Sequence, residues 1–356
     1  MIILDRVIVG LIAFLATILI TPLAITFAKK HNFVDIPDKR KIHKNPTPRI
    51  GGIGIASGIF AGMIITGIIT RMTWVFWSLV PFSIITVMGF IDDVKGLSFK
   101  WKFLIQIIAS ILAIVLVDTN INHINNPFGG SINFGIFGPI LTLIWLVGVT
   151  NAINLTDGLD GLAAGISAIS AFTIAITASR VDVTATLVAI SIFASAVAFL
   201  RYNFHPAKTF MGDTGSQLLG FSLALIAIKG ASLSASTLSL AVPLLALGFP
   251  ILDTIYAFAR RILGGHNPFL PDKMHIHHQL LDIGFSQITA VLFMYAISIL
   301  FSIIAIKYRG IHDLTAIAFY IIIGILLISF LWVMRKRRAK NGRYVKDQNS
   351  KTKQNS

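Results

Sequence analysis

Long apolar runs dominate this chain and limit its folding choices more than any other feature. A helix that crosses hydrocarbon needs about 20 mostly apolar residues. Eleven such runs can be placed: roughly Val7 to Ala28, Gly51 to Thr70, Trp74 to Ile91, Trp101 to Val117, Ile136 to Ile153, Leu162 to Ser179, Val183 to Leu200, Gly215 to Ile228, Leu238 to Ala259, Ile288 to Ile306 and Leu314 to Met334. The eighth is short and the fourth and fifth have ragged ends, so ten spans are also allowed. Backbone amides in lipid must be satisfied internally, which excludes open sheets, and the runs lack the alternation of barrel strands. The expected fold is therefore all-α, a polytopic integral membrane helical bundle of about 11 transmembrane helices. The first run has no basic segment before it and no small-residue cleavage site after it, so it reads as a span and not as a signal peptide.

The composition agrees, with 55% hydrophobic and only 13% charged residues, against about a quarter charged in soluble domains. A formal net charge of +15 raises the question of nucleic acid, but the distribution points elsewhere. With eleven spans, 24 of the 30 Lys and Arg fall on one face and 6 on the other. Basic loops stay cytoplasmic, so the N-terminus is expected outside, the C-terminus cytoplasmic, and no nucleic acid as partner. Residues 1–334 read as a single transmembrane domain and 335–356 as a basic, disordered cytoplasmic tail, suited to an anionic leaflet.

Cysteine and glutamate are both absent, so any carboxylate chemistry must come from the fifteen aspartates. The outer loops are mostly plain, and "DTNINHINNPFGGSINFG" has the turn residues of a hairpin or loop. The inner loops carry "KKHNFVDIPDKRKIHKNPTPRIGG", "FIDDVKGLSFKWK", "NAINLTDGLDG", "RYNFHPAKTFMGDTGS" and "RRILGGHNPFLPDKMHIHH", with seven of the nine histidines. Each loop alone reads as a solvated helix end, a cap or a turn. Together, on one face and from positions spread over the whole chain, they read as one site at the mouth of the bundle, and an ionisable residue beside the membrane is a functional signal.

Asp92, Asp93, Asp157, Asp160 and Asp213 offer hard oxygen donors without thiolates, which favours Mg²⁺ or Mn²⁺ over zinc. Gly51, Gly52 and Gly54, and Gly212 and Gly215 beside Asp213, open helices whose free N–H groups suit anions. Lys95, Lys100, Lys102, Arg49, Arg260 and Arg261 are candidates to neutralise a diphosphate. The inventory points to phosphoryl transfer, and a site at the mouth of a bundle points to a lipid substrate. "HIHH" lacks the spacing of a zinc-hydrolase helix. A transporter would bury charges at mid-depth, whereas most aspartates here sit at span ends.

The motifs from "PTPRIGG" through "FIDDVKGLSFKWKF", "NAINLTDGLDGLAAG", "FMGDTGSQLLGF" and "PILDTIYAFARR" to "HIHH" resemble, in order, those of the polyprenyl-phosphate N-acetylhexosamine-1-phosphate transferases, the glycosyltransferase 4 family. "HIHH" in place of three consecutive histidines is most similar to the branch using UDP-N-acetylglucosamine, including the enzymes that begin wall teichoic acid synthesis. The resemblance implies one catalytic domain in the plasma membrane, facing the cytoplasm, that uses Mg²⁺ to transfer N-acetylglucosamine-1-phosphate onto undecaprenyl phosphate. It also implies roles for residues. Asp92 and Asp93 match the catalytic aspartate pair, with Asp92 also a metal candidate, and Asp213 matches the Mg²⁺ ligand. Asn154, Asp157 and Asp160 match the loop lining the nucleotide site, and His275, His277 and His278, with Arg260 and Arg261, the nucleotide-sugar contacts. Lys95, Lys100 and Arg49 match phosphate-binding positions. Another sugar nucleotide, such as UDP-N-acetylmuramoyl-pentapeptide, is the alternative donor. A homodimer is an allowed oligomeric state. A phosphate monoester is already ionised at neutral pH, so Asp92 as general base is one reading beside a covalent aspartyl route.

Overall fold

The computed structural model describes residues 2–36, 46–121, 123–125, 131–179, 181–232, 241–265, 275–307, 318, 320–334 and 336. In these residues the apolar runs are helices: α1 (Ile2–Lys30), α2 (Gly52–Thr70), α3 (Thr73–Lys95), α4 (Phe99–Val117), α5 (Gly138–Thr156), α6 (Leu162–Ala178), α7 (Val183–Asn203), α8 (Gly212–Ser232), α9 (Ala241–Ala246), α10 (Gly248–Leu263), α11 (Ile276–Asp282), α12 (Gln287–Lys307) and α13 (Tyr320–Met334). Seven of them, α1 to α5, α7 and α12, are long and apolar enough to cross a membrane on their own terms. α6 and α13 are apolar but shorter. With α8 and the α9–α10 pair they account for the eleven runs. This is a polytopic helical membrane protein. The tail, apart from Lys336, lies outside the described residues, as do residues 37–45 and 266–274 of the inner loops.

Two differences from the sequence reading have physical causes. The eighth run looks short because polar residues start it, yet α8 is a full 21-residue helix. It is buried from Thr214 to Ile228, packed against α2, α3, α5, α6 and α7. A helix wrapped by protein does not need lipid-facing apolarity, whereas α1, with Ile3, Leu4, Leu19 and Leu23 more than 60% exposed, does. The ninth run is not continuous: it breaks at Leu247 into α9 and α10. The Ala246 carbonyl, whose helical donor would be the missing N–H of Pro250, accepts from Ser170 Oγ at 2.6 Å, and Tyr320 Oη donates to the Gly248 carbonyl at 3.2 Å beside the break. A broken helix at membrane depth survives when protein satisfies its backbone in this way.

Strands are minor. β1 (Val34–Asp35) pairs antiparallel with β2 (Thr47–Pro48), and on the other end β3 (His123–Asn125) pairs antiparallel with β4 (Ser131–Asn133), the hairpin expected there. Glycine lets α8 sit so deep. A Cβ at Gly52 of α2 would collide with the backbone of Gly215, and one at Gly89 of α3 would meet Thr214 Cα at 2.6 Å. Small residues let membrane helices approach at backbone distance.

Gly52→Val is expected to cost about 1–3 kcal/mol or more through overpacking. Thermal unfolding in detergent micelles checks this, with Gly148→Ala, where an added Cβ meets nothing within 4 Å, as the control that leaves stability unchanged.

Candidate active site

α3 ends where "FIDDVKG" reaches Gly96, whose φ of +73° lets the chain turn and whose N–H donates to the Asp92 carbonyl at 2.8 Å. Asp92 and Asp93 are both buried, but they do different work. Asp93 faces α8: its Oδ1 accepts the Asp213 N–H at 2.8 Å, and its Oδ2 accepts the Thr214 N–H at 3.0 Å and the Thr214 hydroxyl at 2.6 Å. The first N–H groups of a helix have no partner within it and carry partial positive charge. Asp93 caps α8 from another helix. Gly212, with φ of +62°, must lack a side chain, because a Cβ there would strike the Asp93 carboxylate.

Asp92 points the other way. Its Oδ1 accepts the Leu97 N–H at 2.6 Å, and its Oδ2 is 3.1 Å from Lys102 Nζ. The same ammonium is 3.0 Å from Asp213 Oδ2, so Lys102 bridges two carboxylates from different helices. Asp213 Oδ1 accepts from Asn154 Nδ2 at 3.3 Å, which brings the end of α5 into the same group. Helix ends of α3, α4, α5 and α8 thus converge on one point.

The glycine-flanked helix starts do not present the free N–H groups expected of them. Gly51 and Gly52 donate to the carbonyls of Phe210 and Met211, both at 3.0 Å, and Gly215 to Met211 at 3.1 Å. The Gly51 and Gly52 amides are spent on docking α2 against the start of α8, that of Gly215 closes the first turn of α8, and those of Asp213 and Thr214 are spent on Asp93.

The "DGLDG" turn forms the wall opposite. Asp160 is held by the backbone N–H of Ala207 at 3.2 Å and by His205 Nδ1 at 2.8 Å. Gly161 is pinned on both sides, donating to Asn203 Oδ1 and accepting from the Tyr295 hydroxyl. Asp157 is pushed up to about 8, first by burial and then by the negative charges of Asp213, Asp93 and Asp160.

The histidine loop divides its labour as well. His275 Nδ1 lies 2.9 Å from Asp253 Oδ2, whose Oδ1 accepts the Ile276 N–H at 2.8 Å, so Asp253 of α10 anchors the start of α11. His277 is buried against Gly158 with its Nε2 unpaired, and burial, then His278, push it down to about 3. It is a neutral ring at working pH. His278 lines the cleft.

That cleft, about 530 Å³, is lined by Arg49, Asn154, Asp157, Asp160, Asp213 and His278 among the residues read from the sequence. Asp35, Phe210 and Gln287 also line it and escaped that reading. Lys95 and Lys100 are exposed, and neither they nor Arg260 and Arg261 line the cleft; Arg260 sits over the Tyr256 ring at 5.3 Å. Asp92, Asp93 and Lys102 are not among the cleft-lining residues either; Lys102 reaches the cleft through Asp213, 3.0 Å away. Its signal was position, since a lysine two residues into an apolar run is costly unless paired.

The donor set suits a divalent cation. Asp157 and Asp213 line the cleft, Lys102 joins Asp213 to Asp92, both oxygens of Asp93 are taken by α8, and no hydrogen bond to the Asp157 carboxyl occurs among the described residues. No group of three or more His or Asp among those residues is arranged to hold a metal by itself. A cation held there would rely on waters and substrate phosphate oxygens beside one or two carboxylates, as Mg²⁺ does.

Fold and site together define a multi-pass membrane protein with a carboxylate-lined cleft at one end of its bundle, one of whose carboxylates, Asp213, is joined by Lys102 to Asp92. The sequence pattern of Glycosyl transferase family 4 matches residues 74–231, which hold α3 to α8 and so most of that cleft. The chain is 42% identical to the probable undecaprenyl-phosphate N-acetylglucosaminyl 1-phosphate transferase of Bacillus subtilis (strain 168), with 86% of each covered. It is 36% identical to the decaprenyl-phosphate N-acetylglucosaminephosphotransferase of Mycobacterium leprae (strain TN), over 82% of this chain and 80% of that one. It is 29% identical to the undecaprenyl-phosphate alpha-N-acetylglucosaminyl 1-phosphate transferase of Escherichia coli O157:H7, over 94% and 92%. The chain belongs to glycosyl transferase family 4.

Two outcomes are expected. An acid raised to about 8 binds its proton more tightly folded than unfolded. Its stabilising contribution is therefore full below the ordinary carboxylate pKa of about 3.9 and is lost as pH rises to about 8. Without divalent cations, the melting temperature should fall between pH 5 and 8, and Asp157→Asn should flatten that slope. Asp93→Asn would turn an amide donor toward the start of α8 and should lower stability by about 1–3 kcal/mol, read by thermal unfolding.

Proposed function

We propose that this protein transfers N-acetylglucosamine-1-phosphate from UDP-N-acetylglucosamine to undecaprenyl phosphate, giving undecaprenyl-diphospho-N-acetylglucosamine and UMP. The observation that carries the reading is the Lys102 bridge between Asp92 and Asp213, set at one end of a membrane bundle beside the "DGLDG" wall. The activities for which the relatives from Bacillus subtilis and Escherichia coli are named support it. The step is proposed as the first at the plasma membrane in building a cell-wall polymer, with wall teichoic acid the polymer we favour.

The chemistry asks for position and charge neutralisation more than for a base. An oxygen of the lipid phosphate attacks the sugar-linked phosphorus. The bond from that phosphorus to the bridging oxygen breaks, and UMP leaves with that oxygen. Lys102 is placed to neutralise charge on the phosphates, Asp92 to hold Lys102, and Asp93 to fix the helix that presents Asp213. Asn154 and Asp157 are placed on the nucleotide-sugar side with His278. Mg²⁺, when bound beside Asp213, would neutralise the diphosphate. All of these groups come from one chain, so a homodimer would duplicate the site without completing it.

Radiolabelled UDP-N-acetylglucosamine, incubated with undecaprenyl phosphate and the purified protein, should give a butanol-extractable product with release of UMP. Conversion of UDP-N-acetylmuramoyl-pentapeptide instead would overturn the choice of sugar, and no transfer from any sugar nucleotide would overturn the reaction. Lys102→Met should lower kcat at least about a hundredfold, as expected when a charge-neutralising group is removed from a water-poor site. If Asp92→Asn kept normal turnover and Mg²⁺ dependence, its part in the site would be excluded.

A further inference from the structure

Behind Asp213, away from the cleft, a line of side-chain amides runs into the bundle. Gln217, one turn along α8, donates from Nε2 to Asp213 Oδ2 at 2.8 Å. Its own Oε1 accepts from Gln106 Nε2 of α4 at 2.7 Å, and both glutamines are 1% exposed. Gln106 Oε1 in turn accepts from Asn151 Nδ2 of α5 at 2.8 Å, and that amide also donates to the Val147 carbonyl at 2.8 Å. A second, longer contact of 3.4 Å runs from Gln106 Nε2 back to Asn151 Oδ1.

The direction of this line is forced. An ionised carboxylate only accepts, so Gln217 must turn its NH₂ toward Asp213 and its oxygen away. That oxygen lies where water cannot reach it, and Gln106 supplies the donor it needs. Gln106 then needs a donor for its own oxygen, and Asn151 supplies that. Turning any one amide around would bury an oxygen against an oxygen, which at low local dielectric is costly. The same Asp213 oxygen carries Lys102 at 3.0 Å, so Oδ2 is held from two sides, while Oδ1 has the longer 3.3 Å contact with Asn154.

We propose that Gln106 is a positioning residue for the transfer reaction: acting through Gln217, it locks the rotation of the Asp213 carboxylate so that Oδ1 is presented to the cleft. Asn151 completes the lock from α5. The inference rests on the function proposed above, because it assigns Asp213 to that reaction. It explains why three membrane-spanning helices each place an amide at a depth where an apolar residue would otherwise be favoured.

The test is a double-mutant cycle on the full chain in detergent micelles, with Gln106→Met, Gln217→Met and the pair. Three quantities are read: kcat for lipid-linked product, Mn²⁺ binding by electron paramagnetic resonance without substrates, and thermal unfolding. Gln217→Met is expected to lower kcat at least about tenfold, as for loss of a hydrogen bond to a charged group, and Gln106→Met by about as much, because it leaves the Gln217 oxygen buried without a donor, with KM for the nucleotide sugar little changed in both. The double variant should be no worse than Gln217→Met, and both single variants should weaken Mn²⁺ binding. Losses that multiply in the double variant, or losses of kcat that merely track the melting temperature with Mn²⁺ binding intact, would overturn the lock. A wild-type protein that transfers no sugar phosphate would instead overturn the function on which the inference rests, so the two failures are distinct.

Discussion

One carboxylate reaching from α3 to the first amides of α8 organises this molecule. The three hydrogen bonds of Asp93 join helices 120 residues apart in sequence and orient the start of α8. Asp213 is the second residue of that helix, so its side chain can meet Lys102, Asn154 and Gln217 only if Asp93 holds the backbone where it is. Gly52, Gly89 and Gly212 serve the same bond, since each removes a side chain that would keep α8 at a distance. An interaction that looks like helix capping is thereby the frame of the site.

Around that frame, charge is left deliberately out of balance. Several aspartates face one bridging lysine, and the protein meets the excess by neutralising Asp157 and by tying Asp160 to His205. Placing the imbalance at the end of membrane-spanning helices sets it at the boundary where a lipid phosphate and a water-soluble nucleotide can meet.

The helical bundle and the gathering of the aspartates were legible in the chain, because span length and the one-sided clustering of aspartate and histidine are properties of residue order. The division of labour was not. Asp92 and Asp93 are identical neighbours, but adjacent residues on a helix point about 100° apart, and only the packing of α8 tells which one caps it. Lys100 and Lys102 likewise differ by helical phase, so one is exposed while the other bridges Asp92 and Asp213. Free helix amides at Gly51 and Gly52 were a fair expectation of local geometry that tertiary docking overrode. The break at Leu247 was hidden because Ser170 and Tyr320, which tolerate it, lie 76 and 72 residues away in sequence.

α8 has a consequence for how the protein is made. Its opening turn carries Asp213, Thr214, Ser216 and Gln217, and its far end Lys229, so on its own it partitions poorly into lipid. It must therefore enter the membrane into a slot already lined by α2, α3, α5 and α7, all of which emerge earlier from the ribosome. The working centre of the protein is then also the step in its biogenesis that most depends on every preceding helix having arrived correctly.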